Sequence, residues 1–273
     1  MTGATHPLPS LGGAAQRKFL TAALIAFAAV VAAPVVAVLA SLAGPYGDAI
    51  RHVVETLGAR YASGTFLLCL SVGVIAGAIG VGGALLTALC DFPFRRVLSF
   101  ALVLPLAIPA YIAAYAYADL LGPFGAFAPL TAFAASLALP SIKSLPGAAL
   151  ILSLTLYPYV YLAARAAFAS RSSAILQTAR TLGAAPLRAA ISVLLPMARP
   201  AIAGGVALIM METAAEFGVA DYFGVATLSV GIFRTWYSFG DLSAASQLAS
   251  ALFIFSALLV GFEALGRRGR VAD

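Results

Sequence analysis

Residues 19–43 read FLTAALIAFAAVVAAPVVAVLASLA, a run without a single ionisable side chain. As a helix it would be ~37 Å long, more than the ~30 Å hydrocarbon layer of a bilayer. It exceeds the ~7–15-residue apolar region of a secretory leader, so it reads as an uncleaved first span rather than a leader cut near Ala43. The rest of the chain has the same character. Of 273 residues, 62% are hydrophobic and 10% are charged, and the mean hydropathy is +1.02. Soluble domains carry about 25% charged residues. This composition excludes a water-soluble globule and points to an integral membrane protein.

Working outward from that run, five more apolar stretches follow: Tyr61–Leu89, Val97–Ala118, Gly147–Phe168, Met197–Val219 and Ala244–Leu265. The expected fold is an all-α membrane protein of six transmembrane helices. Residues 1–18 form a tail, 19–266 the six-span domain and 267–273 a second tail. The glycine-rich second span allows helix backbones to approach closely in lipid. Pro105 and Pro109 in the third span remove backbone donors, so a kinked or broken span is expected there. The long segment Leu120–Pro146 carries four prolines; its fold, including a return into the interface, stays open.

Basic residues set the orientation. The first tail, the loops after spans two and four, the adjoining helix ends and the last tail hold twelve of the sixteen Lys and Arg residues. The opposite side holds Arg51, Arg60, Lys143 and Arg234. Both termini are therefore expected in the cytoplasm. The net charge of +6 reads as this bias rather than as a nucleic-acid surface. Cys69 and Cys90 read as small buried hydrophobes with no disulfide framework. His6 and His52 give no metal-ligand spacing with them.

The inner loop, Ser170–Pro196, is the most polar long stretch between the first and last spans. Ile175, Ala179 and Leu182 share one face of a short helix. Gly183 can end that helix, and Pro186 suits the first turn of a second one. Leu187 and Ile191 continue an apolar stripe up to Pro196. Periodicity leaves two readings open: the stripe packs on its own bundle, or it is a docking surface for a cytoplasmic partner.

This loop resembles the EAA loop of ABC-importer permeases, E-A-A-x3-G-x9-I-x-L-P. Its first three letters fall on Gln177, Thr178 and Ala179, its glycine on Gly183, its isoleucine on Val193 and its Leu-Pro on Leu195-Pro196. Gln177, Thr178 and Val193 depart from the pattern in type, and Gln177 lacks the acidic contact. Asp91–Arg96, Leu104–Tyr111, Pro158–Arg165, Met211–Gly218, Asp221–Gly224 and Gly231–Trp236 resemble the ferric-iron branch of these permeases. The resemblance implies a type I (MetI-like) permease bundle in the bacterial inner membrane, with ferric iron as cargo; thiamine, polyamine and phosphonate branches share much of the pattern. It also implies that the loop is a coupling helix seated on a cytoplasmic ABC ATPase present in two copies. Further implied partners are a second permease half, either another copy or a separate subunit, and a soluble substrate-binding protein. Ferric-branch members are commonly two fused six-span halves, and this chain resembles the first.

No catalytic constellation is present. No G-x4-G-K-[ST] loop occurs, and the two lysines, Lys18 and Lys143, follow no suitable glycine. The chain is expected to bind no cofactor or metal itself, with ATP and Mg on the partner ATPase. Glu212 and Glu216, four residues apart, are expected to share one face of span five, with Glu212 ~18 Å in from Pro200. A carboxylate at that depth costs several kcal/mol unless it faces water or a partner. The pair therefore reads as lining a translocation pathway, or as a structural hydrogen bond to span three or four. A gradient-driven transporter using the two glutamates is the rival from a different class. A non-transporting scaffold or the remnant of a split permease is a third reading.

Overall fold

A computed structural model describes residues 14–122, 124–136, 141–181, 188 and 190–268. Every regular element among them is helical. The chain divides into two units, Met1–Pro45 and Tyr46–Asp273. The first unit contains α1 (Ala14–Ala40), which runs through Pro34 into a 3-10 turn at Ser41–Ala43. Phe19, Phe27 and Val30 on it are exposed, as suits a lipid-facing helix.

The second unit opens with α2 (Asp48–Val53), which passes through a π turn at Val54–Gly58 into α3 (Ala59–Leu89). Then come α4 (Arg95–Ala101), a 3-10 turn at Leu104–Ala107, α5 (Ala110–Leu120), α6 (Ala128–Ser136) and α7 (Leu145–Thr181). A π turn at Ala190–Leu194 leads into α8 (Leu195–Ala215), followed by α9 (Gly218–Tyr222), α10 (Leu228–Tyr237) and α11 (Leu242–Arg268). Among the described residues five helical stretches are long and apolar enough to cross a membrane, and six if the pair Arg95–Ala107 and Ala110–Leu120, bent by 100°, counts as one span.

The core forms where α3, α7 and α8 meet at Val160. A Cβ on Gly80 of α3 would stand 2.8 Å from the Tyr157 carbonyl oxygen and 2.9 Å from the Tyr161 amide nitrogen. One on Gly205 of α8 would stand 3.1 Å from the Val160 Cα. Glycine therefore lets both helices touch the α7 backbone. Lipid supplies no hydrophobic drive between helices, so such close packing carries much of the association. Leu68, Val72, Leu152, Tyr161 and Ile209 fill the space around this junction and are fully buried. A second cluster joins Ile50, Val53 and Tyr61 to Leu228, Ala244 and Leu248. There the Thr65 hydroxyl accepts the Leu228 amide at 2.8 Å while donating to the Tyr61 carbonyl.

Several elements differ from the sequence reading. The second apolar helix begins at Asp48, not Tyr61, because Asp48, Arg51, Glu55 and Arg60 lower the hydropathy without interrupting the helix. Helix α7 does not stop near Phe168 but runs on to Thr181, so the first half of the inner loop continues span four instead of forming a separate helix. Cys69 is buried as expected. Cys90 is exposed, because α3 has ended and its backbone is extended there. The third span breaks where the prolines stand. Ile108 before Pro109 is extended (φ −107°, ψ 121°), as the proline ring requires of its predecessor, and Pro109 then opens α5. The segment after Leu120 contains α6, and Lys143 near its end stands 4.4 Å over the Tyr222 ring.

Candidate functional site

The break in the third span leaves room beside α7. A cavity of about 180 Å³ lies between Pro105–Ala110, Thr155 and Tyr159 of α7, and Glu212 and Glu216. Thr155 and Tyr159 stand ~15–21 Å along α7 from Leu145, near the middle of a ~30 Å hydrocarbon layer. The cavity is therefore polar and carboxylate-lined, and it lies midway along the apolar stretch Leu145–Ala169.

The two glutamates meet there by different routes. Glu212 lies on α8, exposed, and has no hydrogen-bond or ion-pair partner among the described residues. Glu216 does not share its helical face, which corrects the sequence reading. Helix α8 ends at Ala215, and Glu216 is extended (φ −71°, ψ 113°). Its Oε1 accepts the Val219 amide at 3.0 Å and so satisfies a free donor at the start of α9. Its own carbonyl accepts the Ser229 hydroxyl at 3.0 Å. Glu216 thus holds the turn that redirects the chain from α8 toward α10 while also lining the cavity, and Glu212 lines it without a partner among the described residues. Thr155 and Tyr159 were not singled out from sequence, since hydroxyls on an apolar helix carry no periodic signal. The end of α8 was hidden too, because Phe217 and Val219 prolong its hydropathy.

The coupling-loop candidates are spread along the chain. Gln177, Thr178 and Ala179 fall in the last turns of α7. Gly183 lies outside the described residues. Val193 is in the π turn, and Leu195 and Pro196 begin α8; all three are partly buried. Arg165 donates from Nη1 to the Tyr161 hydroxyl at 3.3 Å. Trp236 and Tyr237 are exposed at the end of α10. Among the described residues no three His, Cys, Asp or Glu side chains gather into a metal-binding group.

Among the described residues a long helix, a proline-broken span and a cavity lined by two carboxylates are set in an all-helical bundle. The fold is that of ABC-importer permeases. A bacterial ABC transporter involved in the import of the acidic polysaccharide alginate superposes with a TM-score of 0.73 at 16% identity, over 93% of this chain and 97% of that one. An inward-facing MetNI methionine ABC transporter gives 0.63 at 16% identity, over 79% of this chain and 98% of the other. In sequence, the chain is related to transport-system permeases. It is 25% identical over 213 residues to the Fe(3+)-transport system permease protein FbpB 2 of Haemophilus influenzae, spanning 78% of this chain but 38% of that relative's length. It is 27% identical over 202 residues to the sulfate transport system permease protein CysT of Salmonella typhimurium, over 72% of each. No protein-family profile matches the chain.

Proposed function

We propose that the chain is a permease subunit of an ATP-driven ABC importer and that its cargo is ferric iron. The observation carrying the cargo reading is Glu212: a carboxylate with no hydrogen-bond or ion-pair partner among the described residues, lining a cavity with Glu216. Carboxylate oxygen suits a hard cation, and the iron permease relative supports the same cargo. The cavity offers two carboxylates rather than a closed cage, as a site that must release its ion requires. Energy would enter through a separate ATPase in two copies, seated on Gln177–Ala179, Gly183, Val193, Leu195 and Pro196. A second permease half would complete the pathway, and a soluble binding protein would deliver the ion. The alginate importer has been solved with its periplasmic protein, which supports that kind of partner. The basic-residue bias supports an inner-membrane chain with both termini in the cytoplasm.

The test is uptake of radioactive iron into vesicles holding the chain with its copurifying subunits, the binding protein and internal or external ATP. ATP-dependent uptake that Gly183→Pro abolishes, with the protein still inserted, is the expected result. Uptake driven by an ion gradient without ATP would overturn the importer reading. Sulfate is the second cargo to test in the same vesicles, because the sulfate permease matches over 72% of both chains.

A further inference from the structure

A second cavity, of about 510 Å³, lies nearer the end of the bundle toward which α7 runs on to Thr181. Arg95, Arg96, Ser99 and Val103 line it from the α4 side and Arg165 from α7. Val103 stands two residues before Pro105, which lines the glutamate cavity. The broken span thus has an acidic cavity on one flank and a basic one on the other.

The three guanidinium groups are not equivalent. Arg95 is committed: its Nε donates to the Thr87 carbonyl at 2.7 Å and its Nη1 pairs with Asp91. Asp91 is the one carboxylate paired with these arginines among the described residues, and its side chain is 93% exposed. Arg165 touches the neutral Tyr161 hydroxyl. Arg96 is exposed and has no hydrogen-bond or ion-pair partner among the described residues. Among the described residues two positive charges are therefore left without a counter-ion around one cavity. Guanidinium forks match the oxygens of a phosphate or sulfate group. The Ser99 hydroxyl belongs to the same wall. Phe94, Val97 and Phe100 beside it are exposed, so the rim also accepts an acyl chain.

We propose that Arg96 and Arg165 bind a tetrahedral oxyanion in this cavity, presented by the headgroup of an anionic phospholipid or as a free inorganic ion. Neither the iron reading nor the ATPase partner is needed for it.

The full chain, purified in neutral detergent with its copurifying subunits and stripped of lipid, is titrated with three probes. These are sodium sulfate, sodium phosphate, and phosphatidylglycerol against a phosphatidylcholine blank, followed by calorimetry and native mass spectrometry. Saturable binding of at least one anionic probe is expected, weakened about tenfold by Arg96→Gln and by Arg165→Gln, and unchanged by Arg17→Gln on α1. Phosphatidylglycerol alone identifies a lipid site; sulfate or phosphate alone identifies a site for a free ion. Binding of both in competition identifies one site open to either. No saturable binding of any probe, or equal binding by the two variants and wild type, overturns the proposal. Arg96 is exposed and unpartnered, so its variant keeps the test valid even if Arg165→Gln fails to fold.

Discussion

The junction at Val160 and the broken segment Leu102–Pro109 both pack against α7, and they use opposite means. At Val160 three helices are unbroken and meet through glycines, with backbone almost touching backbone. At Leu102–Pro109 the helix is interrupted, and its freed amides are recovered by short local bonds such as Leu106 to the Val103 carbonyl and Ile108 to the Pro105 carbonyl. Irregular backbone at membrane depth is tolerated where it lines a cavity or is covered by protein. The contrast separates two tasks. Continuous helices hold the bundle together in lipid, and the discontinuous one makes polar space within it.

The largest effect should come from Gly80→Leu. The new side chain must displace α7 backbone, so a loss of ~3 kcal/mol is expected, read as a lower midpoint of unfolding in detergent. Gly82→Leu, two residues away with nothing within 4 Å of its Cβ position, should leave the midpoint unchanged and so sharpen the comparison. Glu212→Gln on the other side of the comparison should leave stability alone, because the carboxylate has no partner to lose. Iron uptake should fall about tenfold or more, the weight of ~1.4 kcal/mol; normal uptake would remove Glu212 from the pathway. Glu216→Ala should show the reverse pattern in part: removing the cap at the start of α9 should cost ~1 kcal/mol in the same unfolding assay. Equal effects of the two glutamate variants would dissolve the division between lining and holding. The smallest effect belongs to Tyr161→Phe. The buried hydroxyl reaches the Ser99 carbonyl, Thr87 and Arg165 at 3.3–3.4 Å, tying α4 to α3 and α7. Losing these long bonds should cost about 0.5–1 kcal/mol.

Much of this was legible in the sequence. Apolar runs longer than a bilayer named the spans, and two prolines named the one that breaks, because each effect is local to the residues concerned. What escaped depended on neighbours distant in the chain. Nothing in Glu216 itself says that its helix has ended; the Val219 amide and the Ser229 hydroxyl that hold it are supplied by the turn it creates. Likewise Thr155 and Tyr159 became cavity walls only because Pro105 and Pro109 withdrew the facing helix. Cys90 was misplaced for a related reason: hydropathy counts a cysteine as apolar on either side of a helix end. Spacing placed Gln177–Ala179 relative to Gly183 and Pro196, and the structure puts them in the last turns of α7.

Helix α7 has 37 residues and so is ~55 Å long. Pinned at Val160 by glycines on two sides, it becomes a lever with unequal arms: ~31 Å to Thr181 and ~7.5 Å to Thr155. For a stiff rod, a sideways push of ~4 Å at the Thr181 end would swing Thr155 by ~1 Å the opposite way; Pro158, between Val160 and Thr155, removes the amide that would bond the Leu154 carbonyl, so the short arm bends and passes on less than that. A stroke of that size is about a third of a hydrogen-bond distance, so a coarse movement at one end would be geared down to a fine one at the Thr155 wall of the cavity.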